Sequence, residues 1–239
     1  MTPPRRAVTT VHLGVTSAPG DISSTHHEPT TGTARPPSAP GAYHAAVNIV
    51  VTSLKGGVGK STTSIYLAEA AVERGYEPVT LIDADPQASS AEWLELWPLP
   101  GITVVESPSE RTATRAMQRA QGLVVVDTPP GNERVTQSAV ALADAVVIPT
   151  RAGGVEYSRV SATIELIPKR TSYGVVICAA RLGTNDLEAA IAWWKEQKVE
   201  VWGVIPERVS IAAGPEARLS REGLENYDVV LGRALRGWR

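Results

Sequence analysis

Residues 52–63 read Thr52-Ser53-Leu54-Lys55-Gly56-Gly57-Val58-Gly59-Lys60-Ser61-Thr62-Thr63, and the fold turns on this glycine-rich run. Before it stands Val47-Asn48-Ile49-Val50-Val51, a β-branched run of strand type; after it a helical pattern extends from Lys60 to about Arg74 and stops at Gly75. A strand that feeds a glycine loop whose Gly-Lys-Ser opens a helix is the context of a phosphate-binding loop. The N–H groups of such a loop and of the first helical turn point at phosphate oxygens with the helix dipole behind them, and glycines let the backbone come close. In this reading Gly56, Gly57, Val58 and Gly59 form the cradle, Lys60 holds the β- and γ-phosphates, the Ser61 hydroxyl ligates Mg2+ and Thr62 donates to the α-phosphate. The bland alternative, a glycine turn capping an ordinary helix, leaves the Gly-Lys-Ser triplet without a reason. One departure stands out. The pattern G-x-x-x-x-G-K-[ST] expects glycine where this chain has Leu54, and a second lysine, Lys55, follows at once.

Downstream, short apolar runs recur at Val79–Ile82, Ile102–Val105, Leu123–Val126, Ala145–Ile148, Val175–Ile177 and Val201–Ile205. Helical patterns near Ala113–Gln121, Val160–Ile167 and Leu187–Gln197 separate most of them. Continuous rather than alternating apolar strands indicate burial on both faces. The expectation is an α/β fold, a mostly parallel twisted sheet covered by helices on both faces, with its ligand at the carboxyl ends of the strands. Upstream of Val47 the texture differs. Residues 1–46 are rich in Pro, Thr, Ser, Gly and Ala without sustained period, a composition that cannot offset its own ordering entropy, so we expect a disordered tail before a single domain at 47–239. Arg5-Arg6 ahead of Ala7–Val11 has the outline of a twin-arginine export signal, but His12 and the threonines interrupt the apolar stretch that such a signal needs. A flexible tail or an over-extended translation start is the preferred reading.

The chain has 239 residues, 43 % of them hydrophobic, enough for one substantial core. Its formal net charge of −2 gives no whole-molecule attraction for nucleic acid or anionic membrane, so any such affinity must come from a local cluster. The one cysteine, Cys178, sits in the apolar run Val175–Ala179; it cannot close an internal disulfide and reads as a buried, inert thiol suited to a reducing cytoplasm. All four histidines (His12, His26, His27, His44) precede the glycine loop, which argues against histidine triads and histidine-ligated zinc in the folded part. No run approaches the roughly 20 apolar residues of a membrane span.

Two acidic strings complete the chemistry. Leu81-Ile82-Asp83-Ala84-Asp85-Pro86-Gln87 ends the second predicted strand, and Val124-Val125-Val126-Asp127-Thr128-Pro129-Pro130 the fourth. Taken alone, Asp83 and Asp85 could be strand-end caps, Asp127 a turn former and Lys55 a solvated loop cation. Together with the lysine-bearing loop, however, these strings resemble the motifs of the ParA/MinD family of deviant Walker A ATPases, and the resemblance runs from about Val47 to Trp238. It implies ATP and Mg2+ as cofactors. It also implies that Lys55 reaches across a dimer interface to the phosphates of the partner's ATP, that Lys60 serves its own nucleotide and that Asp85 positions the attacking water. Asp83 would support the metal side, and Asp127 would hold Mg2+ through water, beside Ser61. Val204-Ile205-Pro206-Glu207-Arg208-Val209 resembles the family's segment that passes the adenine base, which adds Pro206 and Arg208 to the nucleotide site. Ala88-Ser89-Ser90, after the Asp-Pro-Gln, and Arg151-Ala152-Gly153-Gly154, after the strand ending at Ile148, depart from the family pattern.

Several functions share these motifs. An iron–sulfur reductase of the nitrogenase type needs two cluster cysteines per subunit, and a single cysteine excludes it. A septum-positioning ATPase of the MinD type ends in an amphipathic membrane helix. Here Tyr227, Val230, Leu231, Ala234, Leu235 and Trp238 form an apolar stripe beside Arg233, Arg236 and Arg239. Gly232 and Gly237 each weaken such a helix by about 1 kcal/mol, and docking of the stripe on the sheet is preferred over contact with a membrane. The resemblance then favours a small ParA-type partition ATPase, since the first 46 or so residues carry no helix-turn-helix pattern. That implies a slow ATP hydrolase, cytoplasmic and nucleoid-associated, that dimerises on ATP and binds nonspecific DNA. Hydrolysis stimulated by a ParB-like centromere-binding partner would release it. Arg208, Arg218, Arg221, Arg233 and Arg236 are the candidate DNA contacts. The alternatives are a MinD-like membrane-associated positioning ATPase and a ParA-like ATPase with non-DNA cargo.

Overall fold

The computed structural model describes residues 46–131, 133–212 and 218–236. The chain divides into two units, Met1–Gly41 and Ala42–Arg239, and everything below belongs to the second. The expected tail and the Trp238 end of the C-terminal stripe lie outside the described residues. Strands and helices alternate: β1 (Val47–Val51), α1 (Lys60–Glu73), β2 (Val79–Asp83), α2 (Ser89–Leu96), β3 (Ile102–Glu106), α3 (Glu110–Arg119), β4 (Leu123–Asp127) and α4 (Glu133–Ala141). There follow β5 (Ala145–Thr150), α5 (Gly154–Glu165), β6 (Ser172–Ala180), α6 (Asn185–Glu196), β7 (Val201–Pro206), α7 (Val209–Ala212) and α8 (Arg221–Ala234). Each apolar run of the sequence forms a strand. Helix α2, which opens at Ser89, and helix α4, too short for its period to show, add to the helices legible in the sequence.

All seven strands join one sheet in the order β3-β2-β4-β1-β5-β6-β7, and every neighbouring pair is parallel. Successive residues of a strand point to opposite faces, so an unbroken apolar run supplies two cores at once. Ile49, Val51, Leu81, Val125 and Val147 pack beneath α1, α2 and α8, while Val50, Ile82, Val124, Val126 and Val146 pack beneath α3, α4, α5 and α6. The central strands β4 and β5 are buried throughout. The edge strand β3 is only half covered, and its sequence accounts for that, since Thr103 and Glu106 face water. Burying a Val or Ile side chain contributes about 1.5–3 kcal/mol, so the sheet interior is the main source of stability.

The C-terminal stripe docks as expected. Tyr227, Val230, Leu231, Ala234 and Leu235 are buried, and Tyr227 stacks on Tyr66 of α1 with ring centroids 5.0 Å apart. Among the described residues no helix is long and apolar enough to cross a membrane.

Candidate nucleotide site

Strand order decides what meets at the carboxyl edge. β4 lies between β2 and β1, so Asp127 is in register with Asp83 on one side and with Val51, the last residue before the glycine loop, on the other. Gly59 caps α1 at φ 96°, and Gly57 has φ 71°, left-handed conformations that favour glycine. No side chain caps α1 and its first turn holds no acid, which leaves the N–H groups of that turn to an external anion.

Two carboxylates stand beside this turn in different conditions. Asp83 is buried but fully engaged: one oxygen accepts from Ser90 N (3.0 Å), Ser90 Oγ (2.7 Å) and Ala91 N (2.9 Å), the other from Asp85 N (3.0 Å). These bonds organise the turn into α2, as a strand-end cap does. Asp127 is equally buried, yet among the described residues neither of its oxygens has a hydrogen-bond partner. Burial pushes its carboxyl up to about 7; the nearby Ser61 hydroxyl favours the charged form without closing a bond of acceptable geometry, Asp83 opposes ionisation and Lys60 assists it. An orphaned carboxylate beside a serine hydroxyl at the open start of a helix suits a hard cation such as Mg2+. Asp85 is partly exposed and holds the next turn by accepting from Gln87 N at 2.9 Å.

The lysines also differ. Lys60 is buried and donates to the Lys55 carbonyl oxygen at 3.1 Å. Desolvation lowers its pKa, partly offset by the charges of Asp127 and Asp85. Lys55 forms an ion pair with Glu156 of α5, a residue only 7 % exposed. Sequence reading left Lys55 as either a solvated cation or a reach across a dimer. In the structure it is tethered within its own chain.

Beside the loop lies a cavity of about 310 Å3 lined by Gly59 and Thr62 and, across from them, by Pro206 and Arg208. The sequence points to those four and to Gly57 and Val58, which also line it, but not to Arg151, Cys178, Ile211 and Tyr227, which add to the wall. They come from four separate places in the chain, and no local pattern marks them. Burial pushes the Cys178 thiol up to about 11, so it packs as an inert wall, in keeping with its apolar run.

Of the five arginines expected to contact DNA, three form ion pairs with carboxylates. Arg208 pairs with Glu222 at 3.0 Å, Arg221 with Glu73 at 2.8 Å and Arg236 with Glu200 at 3.5 Å. Arg233 donates to the Val201 carbonyl at 2.6 Å, and Arg218 lies 5.3 Å above the Trp97 ring.

Residues 49–220 match the CobQ/CobB/MinD/ParA nucleotide binding domain. The chain is 34 % identical over 149 residues to the maintenance of carboxysome distribution protein A of Gloeobacter kilaueensis, covering 60 % of this chain and 67 % of that protein. It is 30 % identical over 210 residues to the chromosome-partitioning ATPase Soj of Thermus thermophilus, covering 70 % of this chain and 84 % of Soj. Its fold is shared with the solved structure of apo McdA from Cyanthece, at TM-score 0.67 and 20 % identity over 80 % of this chain and 99 % of that one.

Proposed function

The chain belongs to the CobQ/CobB/MinD/ParA family of nucleotide-binding domains, and from that premise we propose that it is a ParA-type ATPase that dimerises on ATP and binds DNA without regard to sequence. Hydrolysis, stimulated by a partner protein, releases it. The observation that carries this reading is two lysines in one loop together with an orphaned buried carboxylate: Lys60, whose charge is coupled to that of Asp127, and Lys55, paired with Glu156. Lys60 and the first turn of α1 would hold the phosphates, and Ser61 with Asp127 would hold Mg2+, which neutralises charge on the phosphates when bound. Asp85, with one oxygen left over from its turn, would orient the attacking water. Lys55, once released from Glu156, would serve the second nucleotide of a dimer. A second reading shares the same machinery with another cargo, and the relative named for carboxysome distribution supports it.

Light scattering with ATP and Mg2+, beside calorimetric nucleotide titration, tests the assignment. Lys60→Ala is expected to lose nucleotide binding. Lys55→Ala should keep most of it and stay monomeric, and Asp85→Ala should accumulate as an ATP dimer with little phosphate release. Unchanged affinity in Lys60→Ala would remove the phosphate-loop assignment; a normal dimer from Lys55→Ala would remove the shared-nucleotide reading.

A further inference from the structure

Helix α3 carries a feature that the nucleotide site does not use. Arg111, Arg115 and Arg119 stand at i, i+4 and i+8, all exposed, on a helix whose buried residues are Ala113 and Met117. At 1.5 Å per residue the stripe is about 12 Å long. None of the three forms an ion pair among the described residues, whereas Arg74, Arg181, Arg208, Arg221 and Arg236 each hold a carboxylate. From Arg111 to Val126 the sequence places no acid at all. The acids nearest in sequence before the stripe are Glu106, the last residue of β3, and Glu110, the first of the helix, and Glu110 accepts from Ser138 Oγ at 3.0 Å. Like charges four residues apart oppose helix formation, so local stability does not explain the stripe; only Arg119, in the last turn, is favoured by the helix dipole. Arg115 and Arg119 also line a shallow groove of about 460 Å3 against the edge of the sheet, with Thr80, Thr103 and Thr112 and with one carboxylate, Glu106, so that its two arginines outnumber its single acid. Arginines and threonine hydroxyls are the groups that position a nucleic-acid backbone through its phosphates.

We propose that α3 is the surface on which this protein holds the phosphate backbone of duplex DNA, in place of the arginines nearer the C-terminus, three of which are paired with carboxylates. At 3.4 Å of rise per phosphate on one strand, a stripe of about 12 Å faces three to four phosphates. This rests on the DNA limb of the proposed function and names the surface that serves it.

The test is fluorescence anisotropy of a random-sequence duplex with the full-length protein, ATP and Mg2+, across a salt series. Arg115→Glu with Arg119→Glu should weaken binding by about tenfold or more and make the slope of log K against log salt shallower by about 1.8 per protomer. The milder pair Arg115→Gln with Arg119→Gln should move both in the same direction, and Arg115→Lys with Arg119→Lys should restore them, because phosphate contact needs charge. Nucleotide affinity, measured by calorimetry, should stay unchanged in all three. Wild-type binding with an undiminished affinity and slope in both the glutamate and glutamine pairs overturns the proposal alone. A wild type that ignores DNA in every nucleotide state overturns both this proposal and the DNA limb of the function. In a parallel sedimentation with anionic vesicles, substitutions that abolish vesicle binding and spare DNA binding would assign α3 to a membrane and overturn the proposal.

Discussion

Asp127 is held in a condition opposite to that of an ordinary surface aspartate, and the consequence is measurable. With its carboxyl pushed up to about 7, the folded protein keeps a proton that the unfolded chain releases near pH 4. Between those values the folded state binds more protons than the unfolded one, so stability falls as pH rises through the window and levels off above pH 7. The full effect is on the order of a few kcal/mol. Asp127→Asn keeps the shape and removes the titration. Urea unfolding from pH 5 to 8 in EDTA should therefore show the wild type losing more stability than the variant, and parallel slopes would mean that Asp127 is hydrated. Lys55 makes the second case at this scale. Its partner Glu156 is buried while Lys55 is about 40 % exposed, so the pair is worth only about 1 kcal/mol. If release of Lys55 precedes dimerisation, Glu156→Gln should lower the dimer dissociation constant about fivefold per lysine released and leave monomer nucleotide affinity alone, since 1.4 kcal/mol corresponds to tenfold. Light scattering against protein concentration reads this directly, and an unchanged or weaker dimer would show that Glu156 does not restrain the lysine.

Helices α1 and α8 meet along a seam whose fit cannot be seen in either helix alone. The Tyr66 hydroxyl accepts from Ser220 N at 3.0 Å, and the Tyr227 hydroxyl lies 3.1 Å from Thr63 Oγ1. Ser220 caps α8 by accepting from Gly223 N at 3.1 Å. By helix propensity alone, Gly223→Ala should gain about 1 kcal/mol. In the folded protein an added Cβ would fall 2.4 Å from Tyr66 Cε1, and overpacking of that kind costs about 1–3 kcal/mol. We therefore expect Gly223→Ala to lower the urea midpoint with an unchanged m-value, a net loss of about 1 kcal/mol. A raised midpoint would mean that α8 can slide away from α1. The apolar stripe of α8, by contrast, was legible in the sequence, because a 3.6-residue period shows which face is buried without showing what it is buried against.

At the scale of the molecule, the order β3-β2-β4-β1-β5-β6-β7 gathers chemistry that the chain spreads over many residues. The Asp83 and Asp127 strand ends lie side by side, and Asp127 lies beside the strand that feeds the glycine loop, because a parallel sheet puts every carboxyl end on one edge. The shared edge followed from local signals, while the strand order decided which ends are neighbours. Strand-type runs, the glycine loop and the Gly-Lys-Ser helix start are each set by neighbours within a few residues, and parallel strands then have one edge at which to place them. The remainder depended on tertiary structure. The wall residues Arg151, Cys178 and Tyr227, the tether of Lys55 to Glu156 and the ion pairs of Arg208, Arg221 and Arg236 join residues distant in the chain. Propensity and periodicity report backbone conformation and the face that is buried. They carry no information about which distant side chain arrives within hydrogen-bonding distance, because that is fixed by how helices settle on the sheet, and so the fate of each charge on this protein was decided only by packing.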